Sequence, residues 1–258
     1  MIKRLRLKFF LLFIILAGLG LVFALLPNHK NNSEIKTSDT QIKSENGAAL
    51  FVVAHPFDLN QIDSITKYRS CFGHNYGNKT VDGETEDNRS MKHYLNLSKS
   101  IVKSGKEIPV YAPFDGEISD ISSWEDFGYD VWLTPNQGFK QWYFILFHIS
   151  LDQGLKKGSK IQAGKRIGRV QLTPGGNFDM AVKKFKPFSA PVVDVPLKHF
   201  APNILADYEA RGITLENSII SKKYRDQNPC PVIPGTEGRD ARFPSEAAEG
   251  EIIFLRHR

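Results

Sequence analysis

Val110-Tyr111-Ala112-Pro113-Phe114-Asp115-Gly116-Glu117-Ile118 reads as a short strand, a turn and a second strand. Further along, Trp142-Tyr143-Phe144-Ile145-Leu146-Phe147-His148-Ile149-Ser150 is a strand-forming run that ends on a histidine and a serine. A turn-rich stretch comes next, Gly154-Leu155-Lys156-Lys157-Gly158-Ser159-Lys160-Ile161-Gln162-Ala163-Gly164-Lys165-Arg166-Ile167-Gly168. Between Ile101 and Val182, short runs rich in β-branched and aromatic residues alternate with Gly, Asn, Pro and Asp. That spacing predicts a mainly β domain built on an antiparallel sheet. Asp115-Gly116 and Pro135-Asn136-Gln137-Gly138 are turn signals, because each offers a residue that tolerates positive φ.

The flanks differ in character. Lys3, Arg4, Arg6 and Lys8 precede an uncharged apolar run from Phe9 to Leu26, about long enough to cross a bilayer as a helix. The basic flank keeps its side in the cytoplasm, so residues 1–27 are expected to be a single-pass signal anchor with everything after Pro27 outside. A cleaved signal peptide would leave the domain on the same side, but Phe23-Ala24-Leu25-Leu26-Pro27 is a poor cleavage site. Residues 28–47 are polar, without apolar periodicity, and read as a linker. Ala48 to Ala54 is an expected strand that opens a β domain over 48–200. The stretch Tyr76 to Arg89 has the composition of a loop. Residues 201–258 form an expected helical C-terminal extension, with helices over Asn203–Arg211 and Leu215–Arg225. Gly212 would stop the first and Thr214 cap the second, and Gly250–Leu255 would add a last strand.

The net charge of +6 includes the four basic residues of the anchor flank, so the exported part is only mildly basic. No Lys/Arg cluster interleaved with aromatics points to nucleic acid. The two cysteines, Cys71 and Cys230, both lie beyond the anchor. In an oxidising exterior the pair reads as a disulfide, with two buried free thiols as the alternative. The bridge would close a loop of about 160 residues and remove on the order of 4–5 kcal/mol of unfolded-state entropy.

The segment order resembles the sheet core of the lysostaphin-type (LytM-like) zinc metallopeptidases, a duplicated hybrid motif fold whose members cut cell-wall peptide cross-links. The resemblance spans roughly residues 70 to 185. It implies an upstream His-x-x-x-Asp supplying two metal ligands and a His-x-His supplying a catalytic histidine and the third ligand. A further histidine at the end of the long strand steers catalysis. On this chain the upstream match is His93-Tyr94-Leu95-Asn96, with an amide three positions on in place of Asp at four. The later pair is Asn177-Phe178-Asp179. The implied metal set is therefore His93, Asn96 and Asp179 around Zn²⁺, and the implied catalytic positions are His148 and Asn177. Tyr94, Trp142 and Tyr143 would line a groove.

Each residue also has a plainer reading. His148 caps a buried strand, Asp179 alternates with Phe178 and Met180 as a solvated-face residue would, and His93 stacks beside Tyr94. His55, His74 and His199 lack a spacing partner, although His74 follows Cys71 closely enough to approach the site. Glu84, Glu86 and Asp87 form an acidic loop. A neutral amide is a poorer zinc ligand than a carboxylate. Loss of the second catalytic histidine would remove proton transfer typically worth about 10²–10⁴-fold in rate. The chain is thus expected to be a degenerate, non-catalytic relative that binds cell-wall peptide or an envelope protein. The alternative is an active zinc endopeptidase with an atypical site. Ala112–Gly116 and Lys157–Gly164 also resemble biotinyl and lipoyl carrier halves, but Lys140 lacks the flanking methionines of a carrier lysine. Nucleophile-elbow and phosphate-loop motifs are absent from the sequence.

Overall fold

The computed structural model describes residues 49–123, 127–136, 138–172 and 177–257. The expected anchor over 1–27 and linker over 28–47 lie outside these residues. Among the described residues, no helix is long and apolar enough to cross a membrane.

In chain order the strands and helices are β1 (Ile62–Thr66), β2 (His93–Leu97), α1 (Lys99–Ser104), β3 (Pro109–Tyr111), β4 (Gly116–Ser123), β5 (Tyr129–Pro135) and β6 (Trp142–Leu151). They continue as β7 (Lys160–Ile161), β8 (Arg166–Val170), β9 (Asn177–Lys184), β10 (Val192–Asp194), α2 (Pro202–Glu209), α3 (Lys222–Gln227) and β11 (Ile252–Phe254). All the strands join one sheet in the order β11-β1-β2-β9-β6-β5-β4-β7, with β10 on β9 and with β8 linking β3 to β6. Every pairing between these strands is antiparallel. The mainly β expectation from Ile101 to Val182 therefore describes this sheet.

The long strand β6 holds the sheet together. Its first half is hydrogen-bonded to β5 on one side and β9 on the other, and its end pairs with β8. Between Val131↔Leu146 and Tyr129↔Ile149 it carries one residue more than β5. The surplus is absorbed by a bulge in which His148 adopts φ 61°. A non-glycine residue in the left-handed region is uncommon and marks a backbone held in place by its surroundings.

Side-chain alternation divides the sheet into two faces. Phe144, Leu146, Phe178, Met180, Val182, Leu95 and Leu97 belong to the main core, which also takes in Phe51, Phe57 and Phe200. Ile145, Phe147 and Ala181 form a separate cluster with Tyr76, Trp132 and Tyr143 on the other face.

Several local expectations are corrected. The run Leu50–Val52 is buried, but it makes only an isolated bridge from Val52 to Phe200 and forms no strand. The helix expected over Leu215–Arg225 is a turn followed by the shorter α3. Ile219 bridges Tyr68, Ile220 N–H donates to Tyr68 O at 3.0 Å, and Ser221 then caps α3. A strand-like tertiary contact thus takes priority over local helix propensity. The C-terminal segment also returns to the sheet, because β11 pairs with β1. The turn at Gly138 has φ 92° as expected, whereas Gly116 lies outside the positive-φ region. Gly116 is required for closeness instead: a Cβ there would stand 2.2 Å from Thr134 O.

Cys71 and Cys230 are joined by a disulfide. Arg225 donates through Nε to Arg69 O and through Nη1 to Asn228 O, both at 2.8 Å, and pairs with Glu251 through Nη2. Glu251 Oε2 accepts from Cys71 N–H at 2.6 Å. The bridge is thereby packed with α3 and the approach to β11.

Candidate functional site

The register between β2 and β9 decides which residues meet. Tyr94 stands opposite Asp179, and Asn96 opposite Asn177; His93 stands opposite Met180, and Leu95 opposite Phe178. Directly opposed residues share a face. His93 therefore faces the core side with Met180, while Asp179 faces the other side with Tyr94. His93 is fully buried and gives Nδ1–H to Thr66 O at 2.7 Å. Burial lowers its pKa to about 4.

Parity brings Lys92 to Asp179 instead. The ammonium donates to Asp179 Oδ2 at 2.6 Å, with both side chains buried. It also donates to His74 Nε2 at 3.3 Å, while His74 Nδ1 lies 2.9 Å from Asn75 O. These two bonds assign the tautomer: Nδ1 carries the proton and Nε2 offers its lone pair. Burial, reinforced by the Lys92 charge, lowers the His74 pKa to about 4, so the ring is neutral at pH 7.

Aromatic faces complete the Lys92 cage, with the Phe147, Tyr76 and Tyr94 ring centroids 3.8, 4.6 and 5.4 Å from Nζ. Such contacts favour the charged ammonium electrostatically. Tyr94 is itself buried against Phe72, with ring centroids 4.9 Å apart.

His148 is aimed by the β6 bulge. Its Nδ1 lies 3.0 Å from Phe127 O, and its Nε2 lies 3.5 Å from Asp179 Oδ1. The second distance is longer than an ordinary hydrogen bond. Beyond Asp179, Lys183 lies over Tyr76 at 4.5 Å and over Trp132 at 5.3 Å, and Trp132 meets Tyr143 edge-on at 5.3 Å. Burial, with a contribution from Lys92, brings the Lys183 ammonium down to about 8. Trp132, Tyr143, Lys183 and His148 are partly exposed on this face, as are Tyr76 and His74.

The implied ligand set does not fit zinc. A water-activating zinc needs three protein ligands and an open position. Here His93 lies across the sheet from Asp179, the Asn96 amide donates to Ser64 Oγ at 2.9 Å, and the Asp179 carboxylate is bound to Lys92. Among the described residues, no group of three or more His, Cys, Asp or Glu is arranged to hold a metal ion. The groove set is corrected as well. Tyr143 is on the site face, but Trp142 points into the core, where its ring lies 4.4 Å from His199 and 6.0 Å from Phe51. Of the acidic loop, Glu86 is buried between Arg69 and Arg89, each at 2.8 Å.

Lys92, Tyr76, Phe147, Trp132 and Lys183 are the site residues that residue type does not single out. The signal for Lys92 and Lys183 was parity: each is an even number of residues away, Lys183 from Asp179 itself and Lys92 from Tyr94, which stands opposite Asp179.

No protein-family model and no curated protein matches the chain. Among solved structures it is similar to a chain of the SpoIIQ–SpoIIIAH pore-forming complex, at 17% identity over 58% of this chain and 92% of that one, with a TM-score of 0.40. It is similar to Csd3 of Helicobacter pylori, at 20% identity over 62% of this chain and 40% of that one, TM-score 0.39. It is also similar to a zinc-containing peptidase of Vibrio cholerae, at 15% identity over 59% and 46%, TM-score 0.38. At TM-scores of 0.40 and below, these likenesses carry no argument about the chemistry of this chain.

Proposed function

We propose that this chain carries a peptidase-like domain of the cell envelope that binds extended peptide without cutting it. The observation that supports this reading is the Lys92 ammonium 2.6 Å from Asp179 Oδ2. The carboxylate that would serve a metal is already neutralised by a cation of the chain. What remains on the site face is an aromatic and cationic surface of Trp132, Tyr143 and Lys183, with His148 beside it. Flat apolar faces next to an ammonium suit a peptide strand that bears a carboxylate. The ligand class is cell-wall peptide or a segment of an envelope protein. The run Phe9–Leu26 serves in this proposal as a single-pass anchor, with the N-terminus cytoplasmic and the domain outside.

The test uses the purified full chain. Metal analysis is expected to return far less than one zinc per chain, and muropeptides are expected to survive incubation intact. Sedimentation with cell-wall sacculi is expected to retain the wild type and to lose Trp132→Ala and Lys183→Gln by tenfold or more. Stoichiometric zinc that disappears in Asp179→Ala, together with peptide-bond cleavage that disappears in His148→Ala, would replace this reading with that of an active metallopeptidase.

A further inference from the structure

The tip of the β9–β10 hairpin has no task in the fold described so far. Lys184-Phe185-Lys186-Pro187-Phe188-Ser189-Ala190-Pro191 leaves the sheet at the pair Lys184↔Val192. Ser189 N–H donates to Lys186 O at 3.3 Å, which closes a turn with Pro187 second and Phe188 third. Phe188 has φ 60°. Proline followed by a positive-φ residue is the type II pattern, whose third position is ordinarily given to Gly or Asn. A bulky side chain in that conformation is an outlier. Its ring gains nothing in return within the chain, because Phe188 is fully exposed, and Phe185 is exposed as well. Scattered exposed apolar residues are ordinary, but a strained backbone that holds an aromatic ring out in solvent points to a use outside the chain. The charge around the tip has one sign. Between Asp179 and Asp194 the chain holds three lysines and no acid. Phe185 N–H donates to Gln141 O at 2.6 Å, which brings the exposed Lys140 to the same end of the sheet.

We propose that this tip inserts into an anionic bilayer surface. Phe188 and Phe185 enter the boundary between headgroups and acyl chains, while Lys184, Lys186 and Lys140 stay at the level of the phosphates. Aromatic residues beside lysines bind a bilayer through both apolar burial and attraction to anionic lipid. The long lysine stems let the ammonium groups remain in water as the rings go in. Shape favours lipid over a protein partner. A single projecting ring needs a matching pocket in a protein, whereas a fluid headgroup layer receives it without one. Pro187 and Pro191 restrict the backbone beforehand, so less freedom is lost on insertion. The inference rests on the proposed envelope location of the domain and not on peptide binding.

Tryptophan fluorescence of the full chain in vesicles tests this. Phe188→Trp adds one reporter to the three tryptophans of the chain, so the variant spectrum minus that of the wild type isolates position 188. The vesicles are phosphatidylcholine with or without phosphatidylglycerol, and the quencher is a brominated acyl chain. In anionic vesicles the added emission is expected to shift to the blue and to be quenched about twofold or more. Lys184→Gln with Lys186→Gln in the Phe188→Trp background should remove most of that quenching. Tyr224→Trp, at an exposed position of α3, is the control and should stay unquenched. Phe188→Gly should melt at or above the wild-type temperature, because glycine accepts the positive φ without strain. A chain that stays with the vesicles through a high-salt wash while position 188 is unquenched would retain the anchor and overturn the hairpin. Quenching at 188 in a chain that the wash releases would retain the hairpin and overturn the anchor. Equal quenching in neutral and anionic vesicles, equal quenching at the control position, or a lower melting temperature for Phe188→Gly would also overturn the proposal.

Discussion

Lys92 shows how much one side chain settles. A buried ion pair gains little over an apolar pair of the same shape, but removal of one partner strands a charge. Lys92→Met is therefore expected to cost about 3–5 kcal/mol in denaturant unfolding, and Lys92→Met with Asp179→Leu much less. An equal loss in the single and double variants would contradict the geometry. His93 and His74 make a second prediction at this scale. Their folded pKa values, about 4, lie below the ordinary 6.5. Depressed values mean that the unfolded chain binds more protons, so their contribution is complete above pH 6.5 and is lost as pH falls toward 4. The slope is at most about 1.4 kcal/mol per pH unit for each group. The melting temperature should drop from pH 7 to pH 5, and His93→Gln should shallow the fall; a flat profile would refute the assignment.

At the scale of elements, the succession of strands and turns along Val110 to Val182 was legible because β-branched runs and Gly/Asn/Pro turns carry their own period. The site was less legible. Imidazole is the better zinc ligand, so residue type favours His93; parity counted from Asp179 through Tyr94 favours Lys92. The parity requires the register of β2 on β9, two strands far apart in sequence, and local composition does not encode that register. Trp142 and Tyr143 are a different case: they are adjacent on one strand, so alternation alone sends them to opposite faces, and only the choice of which meets the site needed the packing of the sheet. The lost helix over Leu215–Arg225 is a case of a tertiary bridge, Tyr68↔Ile219, overriding propensity. Gly116 gives the test at this level. A Cβ would stand 2.2 Å from the Thr134 carbonyl, so Gly116→Ala should push β4 from β5 and cost on the order of 2 kcal/mol by chemical denaturation. A neutral result would mean that the two strands separate freely.

At the scale of the whole molecule, the disulfide spans 159 residues, from the loop before β2 to the segment after α3. The pairing was readable from an even cysteine count, but its packing with Arg225 and Glu251 was not, since both partners belong to the distant C-terminal segment. By loop-closure entropy the bridge contributes about 5 kcal/mol. Reductant, or Cys71→Ser with Cys230→Ser, is expected to lower the melting temperature by about 10–20 °C. A shift of a degree or two would show that the unfolded chain is already constrained in some other way.

The Lys92–Asp179 pair also bears on how this sequence can drift. A change at either position alone strands one buried charge, whereas a change at both avoids that penalty only if the two occur together. The pair is consequently a barrier in sequence space: exchanging it for an apolar pair needs two coordinated replacements. Related chains should then carry either both residues or neither, and a chimera that mixes the two states should be the least stable member of the set.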